Sequence, residues 1–221
     1  MKLSNYKNKI PENIYDLLFE RNFLELRPSQ IKAIDAGLFN GVNLLICTPT
    51  ASGKTLVAEM SFLHSILNKS KKAVYIVPLR ALASEKFYSF KKIYPQIKVG
   101  LSTGELDSDD SYLGRNDLII VTSEKFDSLL RHKTRWLENI GAIIIDEVHL
   151  LDDASRGPTL EIVVAILKKV LPHAQIIALS ATIGNPQEIA SWLNASLVLD
   201  LWRPVKLKKG VYFDGVVEFK E

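Results

Sequence analysis

Between an apolar run, residues 43–47, and a helix-forming run, residues 55–67, lie the residues TPTASGKT. A short buried strand, a tight loop and then a helix is the setting that a phosphate-binding loop requires. Such a loop bends sharply, so that several backbone N–H groups point at one spot, and the helix N-terminus adds partial positive charge there. Lys54 has the reach to meet β- and γ-phosphates as a point charge, and Thr55 offers a hydroxyl to a magnesium ion. The nucleotide-loop pattern is GxxxxGK[ST]; Thr48 replaces its first glycine, while Gly53, Lys54 and Thr55 match. A chance GKT in an ordinary loop is the competing reading, and the flanking strand and helix weigh against it.

The same strand-then-helix rhythm runs through most of the chain. Strand candidates are residues 43–47, 73–77, 99–102, 118–122, 142–146, 176–180 and 197–199. Helical runs at 55–67, 80–93, 123–131, 159–171 and 186–193 separate most of them. Strings that are apolar throughout, such as AIIID and QIIALS, suit a sheet buried on both faces. The alternation predicts an α/β fold with a mainly parallel sheet of about seven strands, helices on both faces and right-handed crossovers. Upstream, residues 1–9 read as polar and loose. Pro11 opens a helix that ends near Arg21, and a second helix over residues 30–39 takes Ser29 as its N-cap. Downstream, Asp214-Gly215 between the runs 205–212 and 216–219 reads as a hairpin turn. The acidic loop at residues 104–114 lacks regular ligand spacing and reads as solvated.

With 221 residues, 47% of them hydrophobic, the chain has ample material for a core and for one or two domains. The expected organisation is an N-terminal helical segment over residues 1–28, a nucleotide-binding domain over 29–200 and the start of a link over 201–221. A net charge of +3 permits a nucleic-acid partner without requiring one. Pairs such as Lys71-Lys72 and Lys168-Lys169 read as solvated faces. One cysteine allows no intrachain disulfide and fits a reducing, cytoplasmic compartment. The N-terminus lacks the apolar stretch of a signal peptide, and the longest apolar runs, such as residues 162–167, are too short to cross a bilayer.

A second decisive string is IIIDEVH, residues 143–149. Its strand ends in Asp146, which places that carboxylate at the same carboxyl edge of the sheet as the phosphate loop, where open α/β sheets bind ligands. Asp146 is expected to hold the magnesium ion together with Thr55, and Glu147 to orient and deprotonate an attacking water. A DE pair at a strand end is otherwise a surface turn; the phosphate loop decides between the two readings. The string SAT, residues 180–182, ends another buried strand on that edge. Gln30, upstream in LRPSQ, carries a donor and an acceptor that suit an adenine edge.

In order along the chain, LRPSQ, TPTASGKT, VPLRALASEKF, STG, TSEKFDSLL, DEVH and SAT resemble the first, RecA-like motor domain of superfamily-two helicases with a DExH box. The strings TSEKFDSLLRH, RGPTLE, SATIGNPQEIASWLNA and WRPVKLKKGVYFDG are most similar to the archaeal Hel/Hjm repair helicases of the Ski-like branch. The resemblance spans roughly residues 18–221. It implies an ATP-dependent 3′–5′ DNA helicase acting at replication forks and in recombination, with ATP and Mg2+ as cofactors. By the same resemblance Gln30 contacts adenine with Arg27 against the base, and Thr48, Pro49, Thr50, Ala51, Ser52, Gly53, Lys54 and Thr55 hold the phosphates. Asp146 and Thr55 hold the metal, and Glu147, Lys54 and Asp146 are catalytic. His149, Ser180 and Thr182 couple the nucleotide state to the nucleic-acid track. Arg80, Thr103, Gly104, Thr122, Ser123 and Lys125 touch the sugar-phosphate backbone. The implied partners are single-stranded or forked DNA and a second motor domain of the same parent chain, with no membrane. Arginines that complete such an ATP site come from that second domain, so these residues alone are expected to bind ATP but turn it over weakly. An RNA helicase of the same branch and a binding module without motor activity are the alternatives.

Overall fold

The computed structural model describes residues 1–104, 110–205 and 208–220. Most of the acidic loop, residues 105–109, and residues 206, 207 and 221 of the tail lie outside the described residues. The seven expected strands all form: β1 (Leu44–Cys47), β2 (Lys72–Val77), β3 (Val99–Ser102), β4 (Leu118–Thr122), β5 (Ile140–Ile145), β6 (Gln175–Ser180) and β7 (Ser196–Leu199). They join one sheet in the order β3-β4-β2-β5-β6-β1-β7. Every pairing in it is parallel. The crossovers carry α3 (Lys54–Leu63), α4 (Arg80–Ile93), α5 (Ser123–Arg131), α6 (Gly157–Val170) and α7 (Pro186–Leu193).

Successive strand residues face opposite sides of a sheet, and the core divides accordingly. Leu44, Ile46, Tyr75 and Ile144 pack with α3, α4 and the N-terminal helices α1 (Glu12–Glu20) and α2 (Pro28–Asp35). Leu45, Val74, Ile76, Ile143 and Ile145 pack with α5, α6 and α7. Both faces are therefore covered, and the inner strands β1, β2, β4, β5 and β6 read as nearly unbroken apolar runs for that reason.

Three local expectations need correction. Residues 1–9 are not loose: Leu3, Tyr6 and Ile10 are buried. The amide of Leu26 donates to Met1 O at 2.8 Å, and Asp35 accepts from Tyr6 and Lys9. The second helix begins two residues earlier than expected, because Pro28, with its φ preset for a helix, occupies the first helical position. Arg27 is therefore the N-cap and Ser29 lies inside the helix. That helix ends at Asp35, and Leu38–Asn40 form a separate 3-10 turn. The run after the phosphate loop also divides: α3 stops at Leu63 and a π-helical turn, His64–Asn68, follows.

The tail forms the expected hairpin, β8 (Lys209–Phe213) with β9 (Val216–Lys220). Asp214 at φ 45° and Gly215 at φ 79° supply the two left-handed residues that a tight hairpin turn demands. Val211, Tyr212, Phe213, Val216, Val217 and Phe219 are all exposed, so both sides of the hairpin are apolar.

Gly157, the first residue of α6, fixes how the segment after DEVH meets that helix. A Cβ there would lie 2.2 Å from the carbonyl oxygen of Leu151 and 3.0 Å from its carbon, and both are backbone atoms that cannot swing aside. Gly157→Ala should therefore cost about 1–3 kcal/mol of stability by overpacking. Thermal denaturation checks this, and an unchanged midpoint would contradict it.

Candidate nucleotide and nucleic-acid sites

The phosphate loop runs from Thr48 to Gly53, between β1 and α3. Gly53, at φ 96°, caps the helix. A Cβ there would fall 2.5 Å from Gln30 Nε2 and 3.0 Å from Arg27 Cδ, so any other residue would strain the backbone and displace the Gln30 amide. Thr48, standing where the pattern has a glycine, is buried, and its hydroxyl shares a 2.6 Å hydrogen bond with that of Ser52. The Ser52 carbonyl accepts from the Ser29 hydroxyl at 3.4 Å. Lys54 reaches back across the loop and donates from Nζ to Thr48 O at 2.8 Å. Burial pushes the Lys54 pKa down, and the carboxylates of Glu147 and Asp146 act against that push. The first-turn amides of α3 have no carbonyl four residues back to bond, so the loop and the helix start offer donors and a cation at one place.

Asp146 follows the last residue of β5, and its amide donates to Ile76 O at 2.9 Å. Its Oδ2 accepts from the Tyr75 hydroxyl at 2.9 Å, and its Oδ1 from the amide of Glu147 at 3.1 Å. Burial and the neighbouring Asp146 push the Tyr75 phenol well above its ordinary value, so it stays a donor. Glu147 is left-handed, at φ 54°, and this sharp turn brings its carboxylate 3.2 Å from His149 Nδ1. That same nitrogen lies 3.4 Å from the amide of Ala181 in SAT. One nitrogen cannot accept from Ala181 and donate to Glu147 together, so the two contacts are alternatives.

SAT is tied to the loop by its backbone: the Thr48 amide donates to Ser180 O at 3.3 Å. Ser180 is fully buried beside Cys47, its partner in the β1–β6 register. Burial pushes the Cys47 thiol up, as suits a packing residue. Thr182 lies exposed beyond the strand end.

Beside the loop, a pocket of about 480 Å³ is lined by Phe23, Arg27, Gln30, Gly53, Thr55 and Glu59, among others. Gln30 Oε1 accepts from the Arg27 amide at 2.8 Å, and Nε2 donates to Gly53 O at 3.2 Å. An amide side chain has two donors and two lone pairs, so one of each remains for a ligand. Arg27 donates to Ala51 O at 2.5 Å and lies over the ring of Trp202, 5.6 Å from its centroid. Phe23 and Glu59 were missed from sequence. Glu59 accepts from Arg21 at 2.6 Å and from the Tyr94 hydroxyl. An acid one turn after Thr55 in the run KTLVAEMSFL was the available signal.

A second pocket, about 430 Å³, brings together Arg80, Thr103, Gly104, Thr122 and Lys125 at the ends of β2, β3 and β4. Thr122 caps α5 by accepting from the Lys125 amide at 3.4 Å. Ser123, the first residue of that helix, is buried and does not line the pocket. Glu124 does line it and adds a negative charge.

The chain matches the family model of the DEAD/DEAH box helicases over residues 27–189. It is 50% identical over 213 residues to the ATP-dependent DNA helicase Hel308 of Pyrococcus abyssi, covering 96% of this chain and 29% of that protein. The Hel308 of Methanococcus vannielii is also 50% identical, over 94% of this chain and 28% of the relative. The chain thus spans about 30% of the length of these relatives. Among solved structures, the DUF1998 helicase MrfA bound to DNA superposes with a TM-score of 0.74 at 29% identity, over 87% of this chain and 30% of that one.

Gly53→Ala should destabilise the protein by about 1–3 kcal/mol, from positive-φ strain and the clash with Gln30. Thermal melting measures it, and a melting point equal to the parent's would show that the loop does not need glycine there.

Proposed function

We infer the function from one premise: the chain belongs to the DEAD/DEAH box helicase family. We propose that it binds Mg-ATP at the loop edge and the backbone of single-stranded DNA in the second pocket, as a motor domain of an ATP-dependent DNA helicase. The observation that carries this reading is Lys54, a buried amine held between the Thr48 carbonyl and the charges of Asp146 and Glu147.

In this reading Lys54 exchanges Thr48 O for a phosphate oxygen, an anion in place of a neutral carbonyl. Thr55 and Asp146 are the magnesium ligands. One hydroxyl and one carboxylate are hard oxygen donors that suit a Mg2+ otherwise held by phosphates and water. Bound magnesium would offset negative charge on the β- and γ-phosphates. Glu147 orients the attacking water. Gln30 presents its spare donor and acceptor to adenine, with Phe23 and Arg27 beside the base. His149, Ser180 and Thr182 carry the nucleotide state towards the DNA track.

Similarity to DNA helicases named Hel308, and to a helicase solved with DNA, favours DNA over RNA as the partner. The share of those relatives that this chain covers supports a longer parent; a second motor domain that closes over the nucleotide is proposed from the family resemblance. Unwinding, 3′–5′ polarity and a role in fork repair belong to that parent. No helix among the described residues is long and apolar enough to cross a membrane; a cytoplasmic location is proposed from the similarity to DNA helicases.

Lys54→Ala should remove a charge-assisted contact and weaken ATP binding by about 1.5–3 kcal/mol; calorimetry showing unchanged affinity would refute the assignment. Single-stranded DNA should bind through phosphates, without base preference. Affinity should fall as salt rises, and Arg80→Ala should lower the slope of log K against log salt by about 0.7. Fluorescence anisotropy across a salt series tests this, and a salt-independent or strongly sequence-selective affinity would contradict it.

A further inference from the structure

Tyr75 belongs to β2, yet its hydroxyl crosses to the neighbouring strand and donates to Asp146 Oδ2 at 2.9 Å. The β2–β5 register sets Tyr75 opposite Ile144, two residues before Asp146. Its ring is fully buried and packs on Phe90, with centroids 5.5 Å apart. A ring caged in this way cannot follow a carboxylate that swings, so the hydroxyl is a fixed point. On the other oxygen, Oδ1 accepts the amide of Glu147 at 3.1 Å, a second fixed point. An ionised carboxylate offers about four lone-pair positions. One on each oxygen is thus committed to the protein, and the carboxylate plane is held with its remaining lone pairs free.

We propose that Tyr75 is a positioning residue: its hydroxyl sets the orientation in which Asp146 receives the divalent cation that accompanies nucleotide. This rests on the assignment of Asp146 to the cation made above. Outer-shell partners of metal-binding carboxylates and imidazoles act in this way generally, and their loss weakens metal affinity about 10- to 100-fold.

Tyr75→Phe keeps the ring and its contact with Phe90 and deletes only the donor. The 221-residue protein, its Y75F variant and D146N are titrated with a methylanthraniloyl-labelled ADP, first in EDTA and then across a Mg2+ series, with melting measured without ligand. Y75F should melt close to the parent and bind the labelled ADP equally well in EDTA. It should need about 10- to 100-fold more Mg2+ to reach half of the magnesium-dependent gain in affinity. D146N should lose that gain. A Y75F protein with the parent's Mg2+ dependence, beside a D146N that has lost it, overturns the positioning role and leaves the Asp146 assignment standing. A D146N that keeps the gain overturns both. Y75F binding that weakens as much in EDTA as in Mg2+ assigns Tyr75 a packing role and also overturns the proposal.

Discussion

The sites depend on the common direction of the strands. Because β1, β5 and β6 run the same way, the residues that follow them, Thr48, Asp146 and Ala181, emerge at one edge. Pro78, Thr103 and Ser123 follow β2, β3 and β4 and emerge along the same edge. The inner strands β1, β2, β4, β5 and β6 are buried almost throughout, so the polar groups of the motifs gather where those strands end. Reversing any one strand of about five residues would carry its motif about 17 Å to the opposite edge. The order of the strands then sets neighbours: β6 stands between β1 and β5, so SAT touches the phosphate loop on one side and DEVH on the other.

Lys54 and Glu59 are buried charges, and both have partners. Lys54 loses hydration on burial and recovers attraction from two carboxylates and a carbonyl. Glu59 is held by Arg21 and Tyr94, and the three groups tie the end of α1 and the end of α4 to α3. Removing one partner of such a buried pair typically costs about 3–5 kcal/mol, because the other charge is left uncompensated. The helix that carries Thr55 is therefore anchored from both flanks, and the pocket beside the loop inherits that rigidity.

Much of this was legible in the sequence. Residues 80–93, 123–131 and 186–193 are helices, and 99–102 and 118–122 strands, at the bounds that periodicity indicates. Those signals are local, and in 118–122 burial on both faces makes the apolar run continuous. The lapses are where local rules compete. Leu3, Tyr6 and Ile10 are diluted by polar neighbours, so their burial under α1 and α2 does not show in composition. At 28–29 a proline and a serine both mark a helix start, and the proline, with its preset φ, wins. Tyr75 and Asp146 lie 71 residues apart, and Arg21 and Glu59 38 apart. No spacing rule connects such pairs; only the pairing of β2 with β5, and the packing of α1 on α3, bring them together.

Beyond β7 the chain is fastened again. Lys32 of α2 pairs with Asp200 at 2.8 Å, Asp200 accepts from the Trp202 amide at 2.7 Å, and Trp202 lies against Arg27. Burial raises the Asp200 pKa, but Lys32 and the Trp202 amide outweigh it, and the carboxyl stays below its ordinary value. The chain after Trp202 thus leaves from a root against Arg27, on the rim of the pocket beside the loop. A tether acts through the effective concentration it imposes, which falls as the free length between anchor and target grows. Rooting the chain at Trp202, instead of at the end of β7, removes those residues from the free length. Any element that follows is thereby presented to the pocket at a higher local concentration.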